Sequence, residues 1–360
     1  MYVNASGEHK ISNSSCANPV TARGLRDRVL KRMAVGIEPR RCSMNTRRRT
    51  MTLQTRREML ARTVAAAGSL ALGERAAKAA EVAPAMAIAK WTGAANPSSD
   101  DIRVIAARLA QAALEGVGGL TRFVTRGSIV WVKPNIGWDR TPEQAANTNP
   151  EVVATIVKAC FNAGAKAVKV GDNTVNLAPK CYAASGIEAA AKAAGAEVLL
   201  LDRSRAKEKE IGGEKVKTIP MFPEILECDV VINCPVVKHH RLSTATLCMK
   251  NYMGVIENRK VFHQDIPACL VDITRFMKPR ITLLDATRIL VDHGPSGGDL
   301  KDVRTLLAVA AGTDIVALDA WGADVMGRKP GEIPSIAAAE KAGLGRSDYR
   351  ALAPKEIAIA

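Results

Sequence analysis

Short, nearly continuous apolar runs rich in β-branched residues alternate with segments of helical period along most of this chain, and that alternation limits the fold more than any other feature. Strands are expected at residues 128–132, 167–170, 198–201, 230–232, 281–284 and 305–309. Around them, helical spacing covers 101–117, 151–162, roughly 179–194, 314–326 and 334–342. Asn149, Pro150 and Glu151 read as an N-cap, a first-turn proline and a first-turn acid, while Gly164 and Gly195 stop the helices before them. Strands that are apolar on both faces must be covered on both faces. The pattern therefore predicts an α/β fold: a mostly parallel, Rossmann-like sheet with helices on both faces, in three layers.

In an open parallel sheet, ligands bind beyond the carboxyl ends of the strands. The strand ends here deliver a recurring polar set: Lys133 and Asn135, Asp172 and Asn173, Asp202, Asn233 and Asp285. Asp and Asn in such places commonly cap the next helix. Lys133 does not fit that role. A lysine directly after a buried strand needs an anion or a carboxylate partner, and Pro134 fixes the turn that aims it.

The densest group follows the strand at 230–232. Within residues 229–264 lie Asn233, Cys234, Lys238, His239, His240, Arg241, Cys248, Lys250 and His263, which include three of the five histidines in the chain. His239 and His240 are adjacent, so on extended backbone they point to opposite faces, and His240 is in phase with Lys238. His240 is the candidate acid or base, because an imidazole titrates near neutrality. Lys133, Asn135, Asn233, Lys238 and Arg241 are the candidates to hold a carboxylate or phosphate. Lys250 sits in an otherwise neutral stretch, where burial would lower its pKa and suit it to nucleophilic work or to anchoring a cofactor; a helix-surface lysine is the plain alternative. His263 reads either as a metal ligand or as a structural histidine at a helix start.

A glycine-rich loop, HGPSGGD, carries His293, Gly297 and Gly298 and reads equally as an anion nest or as a mobile lid. Asp285 and Asp292 are candidates to orient a histidine or bind a metal, whereas Asp314 and Asp319 are expected to cap and stabilise the following helix. No cysteine pair has zinc-ribbon or ferredoxin spacing, so an intrinsic iron–sulfur cluster or structural zinc is not expected. Cys160 reads as a small core residue. Redox chemistry through Cys234 and Cys248 requires their sulfurs to be close.

A formal net charge of +15 would suggest nucleic-acid or anionic-membrane binding, but residues 1–80 hold 16 Lys and Arg against 5 Asp and Glu, and the remaining 280 hold 35 against 31. The basic excess belongs to the leader, and nucleic acid is not an expected partner of the rest. Residues 55–60 read TRREML, with Arg56 and Arg57 paired; a mildly apolar stretch follows at 63–72, then Ala77, Lys78 and Ala79. That order predicts a twin-arginine export signal cleaved after Ala79, engagement of the twin-arginine translocation machinery, and a periplasmic location. An amphipathic surface helix with a chance arginine pair is the alternative. The apolar stretch is far short of the ~20 residues a membrane span needs. Residues 1–50 would bury the signal inside the chain, so translation is expected to start at Met51 or Met44; a disordered basic tail is the other reading. The expected organisation is leader 1–50, signal 51–79, linker 80–100, α/β domain 101–345 and C-terminal tail 346–360.

Several segments taken together carry a resemblance. VKPNIGWD, NTNPEVV, AKAVKVGDN, DVVINCPVVKHH, MKNYMG, ITLLDA and DIVALDAWGADVMG, in that order between about 100 and 330, resemble the family catalogued as domain of unknown function 362. Some of its members append a ferredoxin-like segment whose cysteines this sequence lacks. A weaker resemblance is to nickel-pincer lactate racemases. It implies His240 as acid or base, Lys250 as the residue holding the pincer cofactor, and His263 as a nickel ligand; Asp172 is the other candidate metal ligand. STATLCMK replaces their glycine-rich approach to the lysine, and GDN at 171–173 lacks their second histidine. The expected function is a metal- or cofactor-dependent exported enzyme, an isomerase or oxidoreductase, acting on a small anionic substrate. The alternatives are a non-catalytic anion-binding protein and a redox protein using Cys234 and Cys248.

Overall fold

The computed structural model describes residues 83–360. The expected leader, the export signal and its cleavage site at Ala79 lie outside the described residues.

Strand β1 (Met86–Trp91) leads through α1 (Ser99–Gly116) to β2 (Ile129–Pro134); α2 (Pro150–Asn162), β3 (Ala167–Val170), α3 (Ala178–Ala184), α4 (Ile187–Ala193) and β4 (Glu197–Val198) follow. A hairpin of β5 (Lys207–Glu210) and β6 (Thr218–Met221) and one helical turn, α5 (Pro223–Leu226), lead to β7 (Val230–Cys234), β8 (Val236–His240) and β9 (Thr244–Thr246). The order ends with α6 (Cys248–Asn251), α7 (Ile266–Met277), β10 (Thr282–Leu290), β11 (Val303–Gly312), α8 (Ile315–Val325), α9 (Pro334–Lys341) and β12 (Lys355–Ile359). Helix starts follow their local chemistry. Ser98 and Asp101 form a reciprocal capping box on α1, Asn149 accepts from the Glu151 amide ahead of α2, and Asp314 accepts from Val316 and Ala317 to start α8.

The main sheet runs β12-β1-β11-β10-β7-β2-β3-β4, with β8 beside β10 and β9 beside β8. From β10 to β4 every neighbouring pair is parallel, and β11 runs antiparallel between β10 and β1. Alternate side chains feed two cores, so the sheet is the middle of three layers. Val130, Val132 and Ala87 pack with Leu109, Ile156 and Ile187 from α1, α2 and α4. Trp131, Ile88 and Leu284 pack with Leu270, Trp321 and Ile336 from α7, α8 and α9. The expected mostly parallel α/β sheet, helices on both faces, is thus what the chain builds.

Four local expectations change. The segment read as a linker at 80–100 contains β1, which pairs with β11 on one side and β12 on the other. The expected C-terminal tail contains β12, parallel to β1. Alanine-rich MAIAKW and KEIAI carry little of the β-branched density that marks the central strands, and β12 lies at the sheet edge, where such residues are tolerated. The helix expected at 179–194 breaks in two at Gly186, whose φ of 70° ends one helix and opens the next. The strand expected at 198–201 shrinks to β4. Among the described residues, no helix is long and apolar enough to cross a membrane.

From β2 the chain steps outward to β3 and β4, then returns to β7 on the other flank of β2. That reversal opens a crevice above the carboxyl end of β2.

Candidate functional site

A cavity of about 810 Å³ occupies that crevice. It is lined from the ends of β2 (Lys133, Asn135), β3 (Asp172, Asn173) and β8 (Lys238 onward), by α6 and the turn after it, and by the loop at 292–296. All four histidines of the described residues line it: His239, His240, His263 and His293. Six cationic side chains, Lys133, Arg203, Lys238, Arg241, Lys250 and Arg259, face only two carboxylates, Asp172 and Asp292. Such a concentration of positive charge in one cleft favours an anion.

The floor is a closed polar network. Lys133 is wholly buried; its ammonium forms an ion pair with Asp172 Oδ1 at 2.7 Å and donates to Asn251 Oδ1 at 3.0 Å and to its neighbour Pro134 O at 2.8 Å. The other oxygen of Asp172, Oδ2, accepts from the Ile136 amide. Asn251 also accepts from Asn135 Nδ2 and donates to Lys133 O and Asn233 Oδ1. Gly254 covers the ion pair so closely that a Cβ there would overlap both Asp172 and Lys133. Burial lowers the Lys133 pKa, and the Asp172 charge opposes that. Lys133 has the carboxylate partner its position demanded, and it forms part of the cavity floor. Asn233 is likewise internal: its amide donates to Cys248 O, and it does not reach the cavity.

Lys238 belongs partly to this floor. Its ammonium donates to Asn135 Oδ1 and Ala146 O, leaving one donor over. Burial, then the Lys250 charge, lowers its pKa to about 7. Lys250 differs. Nine-tenths of it is buried, yet among the described residues its only hydrogen-bond partner is the Met253 thioether at 3.1 Å, a weak acceptor. Burial and then Arg259 push it down to about 8. Above it, Arg259 bonds Thr174 O, and burial ahead of any other cause lowers its pKa. Arg203 donates to Thr174 O from the same side, and Arg241 lies exposed at the rim.

The histidines are oriented, not loose. His240 Nδ1 accepts from the Leu242 amide at 3.1 Å, so the neutral ring carries its proton on Nε2. Burial first, then Lys250 and Lys238, holds its pKa down to about 3. In that neutral state it presents its Nε2–H as a hydrogen-bond donor. The expectation places His239 on the far face; it lines the cavity too, because the loop at 292–296 folds over that side. Its Nδ1 accepts from the Gly294 amide at 3.0 Å. Burial, then Lys250 and Arg259, lowers the pKa of His263, which stands on a helical turn at the cavity edge.

The proposed nest and lid both fail at the glycines. The Gly297 amide donates to His293 O, and the Gly297 and Gly298 carbonyls accept from Arg140 and Gln144. Their backbone is spent pinning the loop, and neither glycine lines the cavity. Of the two expected metal ligands, Asp172 is engaged by the Lys133 ammonium and the Ile136 amide, and His263 stands at the cavity edge. Among the described residues no group of three or more His, Cys, Asp or Glu side chains is placed to hold a metal ion. Asp285 accepts from Asn149 and Thr287, and Asp319 caps α6 by accepting from the Cys248 and Met249 amides, a helix other than the one expected. Cys234 and Cys248 are free, fully buried thiols whose pKa values burial pushes well up, and neither lines the cavity.

Sequence reading missed Arg203, Arg259, Asn251 and His239 as cavity residues. Only Asn251, beside Lys250 in MKNYMG, carried a local signal. The arginines come from turns distant in sequence and meet at Thr174 only in the fold.

The model of the family described as "Domain of unknown function (DUF362)" matches residues 130–324, which hold every cavity residue described above. A thylakoid-associated protein of Synechocystis sp. is 30% identical over 246 residues, covering 64% of this chain and 73% of that protein. The structure of the lactate racemase apoprotein from Thermoanaerobacterium thermosaccharolyticum aligns with a TM-score of 0.43 at 12% identity, over 66% of this chain and 56% of that one. At that similarity it assigns no residue here a role.

Proposed function

The chain belongs to the family described as a domain of unknown function (DUF362), and we propose that the cavity above β2 takes a small anionic substrate, a carboxylate or phosphate, and moves a proton on it. One observation carries this reading. Lys250 is a buried ammonium without an oxygen partner, next to Lys238, Arg259 and a neutral histidine that can only donate. Burying a charge is costly unless it is paired, so the site is arranged for a charge that arrives with the ligand. The anion would pair with Lys250 and take the spare donor of Lys238. His240 Nε2–H would stabilise charge that develops on a substrate oxygen, and with pKa values near 7 and 8 the two lysines exchange protons at neutral pH.

Calorimetry with malonate and with inorganic phosphate tests the reading. Binding by the wild type and its loss in Lys250→Met, with Arg241→Ala close to wild type, is the expected result. A wild-type protein that binds neither anion sinks it.

A second reading rests on the same amine. A lysine held near pKa 8 is a competent nucleophile, so Lys250 also suits a covalently attached cofactor. Intact mass of protein isolated from its producing cells separates the two: added mass mapping to Lys250 favours the attached group, and unmodified mass favours the free anion. Stoichiometric transition metal in the same sample would displace both. On the pairing of Arg56 and Arg57 we place the protein outside the cytoplasm after cleavage behind Ala79; a secreted chain that retains residue 79 or its predecessors argues against that.

A further inference from the structure

We propose that His293, oriented by Asp302, is the base that takes the proton in this cavity, an inference that rests on the proton-transfer reading above. The ring bonds of the cavity histidines sort them. His239 and His240 each accept a backbone N–H at Nδ1, which puts the proton of the neutral ring on Nε2. His293 is set the other way. Its Nδ1 lies 2.9 Å from Asp302 Oδ2, and a carboxylate only accepts, so Nδ1 carries the proton and Nε2 keeps its lone pair. Among these three rings only His293 has an unprotonated Nε2.

The surroundings match a positioned base and not a surface histidine. Asp302 is buried while the His293 side chain is 68% exposed, so the carboxylate is fixed in protein and the imidazole projects from it along the cavity mouth. Asp292 is a looser neighbour, at 3.9 Å from the same nitrogen. His293 has a φ of 50°, a conformation uncommon for a side-chain-bearing residue, and the loop that holds it there is tied at several points. Gly294 donates to His239 and accepts from the Arg241 amide, and Val291 donates to Asp302 O. A Cβ at Gly294 would overlap His239 O, so only glycine lets the loop approach β8 this closely.

The step balances within the site. The substrate proton passes to His293 Nε2, the Nδ1 proton remains shared with Asp302, and the resulting imidazolium is stabilised by that carboxylate. The electron pair stays on the substrate, where His240 Nε2–H and Lys250 face it; return of the proton closes the cycle. Asp302 is a positioning residue, and His293 the group that meets the substrate.

Nitrogen-15 NMR of histidine-labelled protein reads the tautomers directly. The expected result is Nδ1–H for His293 and Nε2–H for His239 and His240, with Asp302→Asn losing the His293 preference while malonate affinity is unchanged. Diethyl pyrocarbonate, which acylates an unprotonated imidazole nitrogen, should then modify His293 first, more slowly in Asp302→Asn and in the presence of malonate. An Nε2–H tautomer at His293, first modification at His239 or His240, or no protection by bound malonate overturns the assignment. Failure of the wild type to bind malonate at all would instead strike the anion reading on which this one depends, and far-ultraviolet circular dichroism of Asp302→Asn guards against misfolding.

Discussion

The floor and the wall of the cavity each hold a buried lysine, and the two have opposite surroundings. Lys133 sits on an apolar strand end, wholly enclosed, with a carboxylate, an amide oxygen and a carbonyl around its ammonium. Lys250 is nearly as deep, in a neutral segment, with one thioether. Burial lowers the pKa of both. Only the first has been given, within the chain, the partners that make burial tolerable. Burial alone therefore does not mark a functional lysine; burial without satisfaction does. The floor is architecture that lines up Asn135, Asp172 and Asn251, and the wall is where an outside charge is needed.

Substitutions should separate the two. Lys133→Met leaves Asp172 buried without a cation, and removing one partner of such a pair costs about 3–5 kcal/mol. Urea unfolding should show that loss in full, and a variant as stable as wild type would mean that the floor is not held by the pair. Lys250→Met removes a charge that nothing in the chain compensates. Its stability should be unchanged or higher by about 1 kcal/mol, while malonate affinity falls about 30-fold, roughly 2 kcal/mol. If both variants destabilise alike, the contrast between floor and wall collapses.

Acidity sharpens the same contrast. An anion binds best when Lys238 and Lys250 are protonated, and these sit near 7 and 8. Sulfate, whose own charge does not change in this range, should bind more weakly from about pH 7 upward, by up to about tenfold per unit for each lysine that must regain a proton. Without ligand the sign for folding is opposite. A lysine lowered to about 8 binds fewer protons folded than unfolded between there and its ordinary 10.5, so stability from this group rises with pH across that window. Lys250→Met should flatten both slopes. A sulfate affinity that is level from pH 6 to 9 would exclude these lysines as its partners.

Much of this was readable before any coordinates. The β-branched runs at 128–132 and 230–232 announce strands whose carboxyl ends must meet, and Lys133 announces a buried partner by position alone. What could not be read is how the polar groups are shared out. Lys133 and Lys250 look equally available in sequence, because satisfaction depends on Asp172 and Asn251, which the fold brings from elsewhere. Strand alternation puts His239 on the far face, a rule that fails where a loop encloses the second side of β8. The roles of His240 and His293 rest on a backbone amide and on Asp302, and neither bond has a signature in local spacing. Arg203 and Arg259 stand on irregular turns where periodicity is silent.

The smallest expected effect lies just behind the wall. Asp319 sits inside α8, buried among apolar residues, and takes the Cys248 and Met249 amides that open α6, so it holds the segment carrying Lys250. Burial pushes its carboxyl up to about 7 against the opposing pull of those hydrogen bonds. A carboxyl raised in the folded state binds more protons there than in the unfolded chain. Its contribution is fully present below the ordinary 3.8 and is lost as pH rises through about 7. Asp319→Asn keeps one oxygen for the shorter bond from the Cys248 amide, gives up the longer one from Met249, and removes the titration. Its stability at neutral pH should lie within about 1 kcal/mol of wild type, and the decline between pH 4 and 7 should be shallower in urea midpoints taken across that range. Malonate affinity should hardly move, because an intact cap leaves Lys250 where it was. A large loss of affinity with stability preserved would place Asp319 in the wall itself, as a group whose charge the anion feels.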